Sequence, residues 1–215
     1  LPAKYALPIL QELLQRDEDQ TDLHLPMLIW WALEAQCGGD RAAVLELFGD
    51  KTLWDHPITA TTIVPRLMQR YALAGTPEDL ETCAQLLAIA PSDAHRQTLI
   101  SGFLEAYQGR EIKHLPESLT NAIASYQKSL GQDDLVLNIR LGKEDAIDQA
   151  LKFIADEKSD RPKRLSYMEV LGEVKPARAV PVLINLLGSS SIAIKRGALQ
   201  ALINFDDPKI GEAIC

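Results

Sequence analysis

The sequence predicts an all-α protein organised as an α-solenoid, a right-handed superhelical array of helix pairs, and three observations carry that reading. First, Val174-Lys-Pro-Ala-Arg-Ala-Val-Pro-Val-Leu183 recurs as Phe205-Asp-Asp-Pro-Lys-Ile-Gly-Glu-Ala-Ile214, an offset of 205 − 174 = 31 residues. The preceding helices match at the same offset, Arg164 with Lys195, Met168 with Leu199, and Val170-Leu171 with Ala201-Leu202. A fixed period of this size marks units that cannot bury their own apolar faces and must stack on the next. Second, 47% of the residues are hydrophobic but only 6% aromatic, and Leu and Ala dominate, as close packing of many helices requires. Third, short amphipathic segments are joined by connections of two to six residues punctuated by Gly, Pro or Asp, and nothing resembles a flexible linker.

Taken in order, the segments read as helices over 4–16, 23–36, 40–48, 57–73, 77–89, 92–108, 117–129, 134–141, 143–156, 163–173, 178–188 and 192–204. Asp22, Asp40, Thr76-Pro77 and Ser92-Asp93 carry the side chains that cap helix starts, whereas Gly75, Gly109 and Gly131 mark stops. Leu25-Pro-Met-Leu-Ile-Trp-Trp-Ala-Leu33 is apolar on nearly every face, and a helix hydrophobic all round is expected to be covered on both sides. The competing reading puts Trp30 or Trp31 on a ligand surface, where tryptophan concentrates.

The C-terminal part is clearest. Leu165, Met168 and Leu171 share one helix face, and Val180, Leu183, Ile184 and Leu187 form an i, i+3, i+4, i+7 stripe on the next. After Gly188 and the serines 189–191, Ala198, Ala201, Leu202 and Phe205 repeat that stripe, with small residues that let helices approach closely. Pro176 and Pro181 stand where helices begin, and there a missing N–H costs little. One continuous array over 1–215 is therefore expected, with degenerate repeats over 1–157 and clearer 31-residue repeats over 158–215. Because the chain starts at Leu1 and its last repeat stops partway through a helix at Cys215, it is expected to be a piece of a longer protein.

The net charge of −8 argues against a nucleic-acid grip, which requires a basic surface to release counterions. From Lys158 to Phe205, however, eight basic residues face three acids, a local +5, which leaves −13 elsewhere. Starting the window at Asp156 lowers it to +3, so a solvated charged face is the expectation over an anion site. No apolar run approaches the roughly 20 residues needed to span a bilayer.

Signatures of chemistry are sparse. Cys37, Cys83 and Cys215 stand far apart without metal-ligand spacing and read as small core residues or incidental thiols. His24, His56, His95 and His114 are isolated, with no HExxH and no His-Glu dipeptide, and read as solvated or capping residues. Helical-repeat deoxyhypusine hydroxylases bind their metals through His-Glu pairs, which this chain lacks. The run Asp17-Glu-Asp-Gln-Thr-Asp22 lacks the glycine and terminal Glu of a calcium loop and reads as a helix connection. GxGxxG, P-loop and GxSxG patterns are missing. A helical-array DNA glycosylase would need a cationic groove, against which the acidic balance speaks. The expectation is thus no catalytic residue, no cofactor and no metal.

Two resemblances extend this reading. Residues 164–214, about a quarter of the chain, resemble the short HEAT-like repeat of the phycocyanobilin lyase type: leucine-rich helix, Gly-Asp-Pro-like turn, Arg-Ala-Val-Pro, second helix. Val174-Lys-Pro-Ala-Arg-Ala-Val-Pro-Val-Leu-Ile-Asn-Leu-Leu187 carries the match, and Phe205-Asp-Asp-Pro-Lys-Ile210 matches the turn. This implies a HEAT-like, armadillo-type fold and little about activity. Separately, Asp22-Leu-His-Leu-Pro-Met-Leu-Ile-Trp-Trp-Ala-Leu-Glu34 is similar to the helical-repeat region of large exported Planctomycetes and Verrucomicrobia proteins that carry a propeller dehydrogenase-like domain and a CxxCH cytochrome domain. That likeness implies a periplasmic or exported redox parent with this segment as its spacer; without it a cytoplasmic protein is expected. CxxCH and propeller strands are lacking here, so no catalytic residue carries over.

The functional expectation is a non-catalytic scaffold or interaction segment, presenting a surface to a protein partner or to neighbouring domains of the same polypeptide. The alternative is the helical part of an exported dehydrogenase–cytochrome enzyme or of a chromophore-handling lyase. Arg161, Lys163, Arg164, Lys195 and Arg196, at the starts of successive helices, are the candidate partner contacts, because helix starts and basic side chains together attract anionic groups.

Overall fold

Capping side chains, and prolines in the first turns of several helices, set many of the helix boundaries along this chain. The computed structural model describes residues 1–109, 112, 114–130 and 134–214, with backbone alone for 212–214. Its regular structure is helical throughout, with no strand among the described residues. Contacts divide the chain into two compact units, 1–107 with 114–132, and 108–113 with 133–215.

Unit 1 runs through α1 (Ala3–Leu14), α2 (Leu25–Cys37), α3 (Arg41–Leu47), α4 (Val64–Ala74), α5 (Pro77–Ile89), α6 (Asp93–Ala106) and α7 (Glu117–Leu130). Short 3₁₀ turns lie at Asp17–Thr21 and Lys51–Asp55, and a π turn at Thr59–Ile63 leads into α4. Pro65 explains that wide turn: it has no N–H to donate four residues back, and its ring crowds the carbonyl there. Each expected cap is present. The side chains of Asp40, Thr76 and Ser92 accept from the N–H groups of Ala43, Asp79 and His95. Asp22 Oδ1 accepts from His24 and Leu25, both at 2.8 Å, just ahead of α2. Gly75 ends α4 at φ 66°, ψ 9°, a left-handed conformation that glycine adopts freely. Gly131 and Cys215 lie outside the described residues.

Helices in unit 1 pack on the next but one: α2 on α4, α4 on α6, α1 on α3, α3 on α5 and α5 on α7. Leu33, Trp54, Leu67, Met68, Tyr71, Leu86 and Phe103 fill the space between them. Side-chain bridges join the stacked elements at a nearly constant separation. Gln11–Asp50 and Asp17–His56 are 39 residues apart, Arg41–Asp79 are 38 and Glu81–Ser118 are 37. Of these, Arg41–Asp79 is the most sheltered. Arg41 Nε and Nη2 both lie 2.9 Å from Asp79 Oδ1, and Thr76 Oγ1 donates to Oδ2 at 2.7 Å. Burial raises the Asp79 carboxyl, but the Arg41 and Thr76 hydrogen bonds and the Arg41 and Arg70 charges outweigh it and hold it below the usual carboxylate range.

Unit 2 comprises α8 (Leu135–Arg140), α9 (Glu144–Ala155), α10 (Arg161–Val174), α11 (Ala179–Leu186), α12 (Ile192–Leu202) and α13 (Pro208–Ile214). Here α8 packs on α10, α10 on α12, α9 on α11 and α11 on α13. One apolar cluster, built around Ile139, Ile154, Met168, Leu171, Leu183, Ile194 and Leu202, runs through the unit. Pro181 sits in the first turn of α11, and Pro176 accepts from the Ala179 N–H at 2.8 Å in the turn before it.

The observed helices follow the expected segments closely, α13 is the helix expected before Cys215, and the two 3₁₀ turns are additions. One expectation fails on its packing. Only Ile29, Trp30, Leu33 and Cys37 of α2 are buried; Leu28 and Trp31 are 50% and 57% exposed. The helix is apolar all round without being covered on both sides.

Candidate functional site

A concavity of unit 2 lies along α10 and α12, a groove of about 860 Å³. Close approach of the two helices forms its floor. A Cβ added to Gly172 would lie 2.8 Å from Ala201 Cα, so only glycine allows this spacing. Ser166, Glu169 and Glu173 line it from α10, and Arg196, Gln200 and Asn204 from α12 and its C-terminal end. Glu173 is anchored by Arg140 Nη2 at 2.5 Å, with side chains only 12% and 8% exposed. Its charge is therefore compensated from beneath the groove, whereas the side chains of Glu169, Arg196, Gln200 and Asn204 border the opening.

The five basic residues read from the sequence separate here. Arg161 and Lys163 are exposed on the first turn of α10, where Asp160 caps the Lys163 N–H at 3.0 Å. Lys195 is exposed at the end of the first turn of α12 and Arg196 at the start of the second, and of the five only Arg196 lines the groove. Arg164 departs from the expectation. It is 5% exposed, and its Nε and Nη2 donate to the Ile154 carbonyl at 3.0 and 2.7 Å. That carbonyl belongs to the last turn of α9, which has no helical donor left and favours a cation. Arg164 thus ties α9 to α10 and offers nothing to a partner. Gln200 and Asn204, which the sequence reading passed over, join the site because they stand four and eight residues beyond Arg196 on one helix face.

Elsewhere, polar groups serve structure. His95 Nδ1 lies 2.9 Å from Ser92 Oγ and Nε2 lies 3.2 Å from Asp55 Oδ1, with its ring edge-on to Trp54. Ser92 Oγ is at the same time the α6 cap, so this cluster locks a helix start. His56 pairs with Asp17 at 2.8 Å. Cys37 and Cys83 are buried free thiols, and burial pushes the Cys83 thiol up to about 12. Among the described residues, no three His, Cys, Asp or Glu side chains are grouped to hold a metal ion, and no helix is long and apolar enough to cross a membrane. No protein-family model, no curated protein and no solved structure matches this chain.

Proposed function

We propose that this chain is a non-catalytic HEAT-like scaffold segment whose α10–α12 groove receives a protein partner or a neighbouring domain of the same polypeptide. The observation that carries the reading is the groove itself: open, about 860 Å³, and bordered by Ser166, Glu169, Arg196, Gln200 and Asn204. Such side chains donate and accept along an extended polypeptide, whose backbone needs both. Helix-to-next-but-one packing in each unit and bridges spaced one helix pair apart support the repeat reading. The surface residues of the proposed contact are Arg161, Lys163, Lys195 and Arg196; Arg164 is withdrawn from the set because it is buried.

Photo-crosslinking tests it. A benzophenone side chain at Gln200 should give a discrete adduct in cell extract, whereas the same group at exposed Lys152 on α9 should not. Adding Arg196→Glu should remove the Gln200 adduct while leaving helical content unchanged. Equal labelling at both positions, or none at Gln200, refutes the groove as the partner surface.

A further inference from the structure

The α10–α12 groove carries a row of charges that the protein itself leaves unmatched. Leu165 lies against Gly197 and Gly172 against Ala201, pairs 32 and 29 residues apart, so the two helices run side by side in one direction near the 31-residue register. The lining residues are accordingly repeat counterparts: Ser166 with Gly197, Glu169 with Gln200, and Glu173 with Asn204. Four charged side chains stand on this face, Glu169, Glu173, Lys175 and Arg196. Arg140 matches Glu173 from beneath. Glu169, Lys175 and Arg196 are exposed and, among the described residues, have no ion-pair partner.

Their order is fixed by the helices. Arg196 is the counterpart of Leu165; Glu169 stands four residues, about 6 Å, further along, and Lys175 six residues, about 9 Å, beyond that. The groove therefore presents a cation, an anion and a cation over about 15 Å. A simple anion would leave Glu169 unmatched, and an apolar occupant would leave all three charges so. A second observation points to polypeptide. Residues 108–113 belong to unit 2, and among them Ile112 is 5% exposed and donates its N–H to the Arg140 carbonyl at 2.9 Å. Gly109 of the same segment lines the groove, and the Arg140 side chain holds Glu173. Irregular backbone of this chain is thus already held against the elements that build the site.

We infer that the groove binds an extended peptide with an acidic, a basic and an acidic side chain at alternate positions. The first acid meets Arg196, the base meets Glu169 and the second acid meets Lys175. In an extended chain, side chains on one face recur every two residues, about 6.6 Å, so three of them span about 13 Å and fit the row. Opposite charges along a groove select a sequence, because a peptide of the wrong order sets like charges together. The pattern reads the same in both chain directions. It specifies the occupant of the groove proposed above and rests on that reading.

Fluorescence anisotropy with labelled, end-capped heptapeptides tests it. Gly-Asp-Ser-Lys-Ser-Asp-Gly should bind about tenfold more tightly than its charge-reversed form, Gly-Lys-Ser-Asp-Ser-Lys-Gly. It should equally exceed Gly-Lys-Ser-Asp-Ser-Asp-Gly, which has the same composition in another order, and the preference should fade at high salt. Exchanging the row in the protein, Glu169→Lys with Lys175→Glu and Arg196→Glu, should invert the preference in favour of the charge-reversed peptide. Unfolding cannot produce an inversion. Equal affinity for all three peptides, with each still crosslinked by a benzophenone at Gln200, overturns the charge pattern and leaves the groove a peptide site. No binding of any of them at about 1 mM overturns the inference too. The Gln200 adduct in cell extract then decides separately whether the groove receives a partner.

Discussion

The two units bring neighbouring helices together in different ways. In unit 1 the tightest approach is backbone on backbone: a Cβ on Gly102 of α6 would lie 2.1 Å from the Pro65 carbonyl oxygen, at the point where the π turn gives way to α4. In unit 2 the approach at Gly172 also meets backbone but less closely, Ala201 Cα at 2.8 Å, and that at Gly197 meets the end of the Leu165 side chain. Charge divides them as well. Unit 1 holds eight basic residues against sixteen acidic ones, the whole −8, whereas unit 2 holds fourteen of each. Unit 1 therefore stacks under electrostatic self-repulsion and adds bridges such as Arg41–Asp79 between its helices. Unit 2, without net charge, also joins its helices by ion pairs, Arg140 to Glu173 and Arg178 to Asp148.

The sharpest test of that difference is a graded glycine series. Gly102→Ala should cost about 3 kcal/mol or more, because two backbones must separate, and Gly172→Ala about 2 kcal/mol. Gly197→Ala should cost below about 1 kcal/mol, since Leu165 can change rotamer. All three tryptophans, Trp30, Trp31 and Trp54, lie in unit 1, so urea denaturation followed by fluorescence isolates Gly102, and far-UV dichroism reports the other two. Equal costs would break the comparison.

The Arg41–Asp79 bridge predicts a pH response in unit 1. Asp79 titrates lower in the folded state than its ordinary 3.8, so the unfolded chain binds more protons near that pH. Its stabilisation is fully present above about pH 4 to 5 and is lost as pH falls through the folded value. Asp79→Ala should cost about 2 kcal/mol at neutral pH, less than a fully buried pair because Arg41 is 35% exposed. It should also flatten the acid limb of the tryptophan-detected stability profile. An unchanged limb would show that Asp79 does not hold the unit together.

A smaller effect than that of Asp79 compares two helix ends. Gly75 closes α4 and Lys175 closes α10 in the same left-handed conformation, their N–H groups donating to Tyr71 and Leu171 at 3.1 and 2.9 Å. Lys175 bears a Cβ in that conformation and Gly75 does not. Lys175→Gly should therefore stabilise unit 2 by about 1 kcal/mol, and Gly75→Ala should destabilise unit 1 by about the same. Thermal melts of both variants moving in the same direction would contradict the equivalence.

Helix positions were legible because their causes are local. Asp40, Thr76 and Ser92 cap the helices they precede, and Pro26, Pro77 and Gly75 stand at helix boundaries. The 31-residue offset was legible where turns have equal length, between α10 and α12; in unit 1 the 3₁₀ and π turns vary the spacing and hide any such period. The site was half legible. Lys195 and Arg196 are exposed as expected, and Arg196 lines the groove, but Arg164, their sequence counterpart, is buried on the Ile154 carbonyl. Their places in the helix are the same: each stands four residues after an N-cap position, Asp160 or Ser191, and what packs against it differs.

By itself the sequence determined that this is a helical protein, where its helices begin and end, and which side chains are apolar, since periodicity and capping act within a few residues. The tertiary structure alone decided which apolar faces found a neighbour. Trp30 is buried and Trp31 bare on one helix, and Met168 is buried while its repeat counterpart Leu199 is open. Burial is a property of what lies across from a residue, and a helix's own sequence specifies the face it offers without specifying the one that meets it.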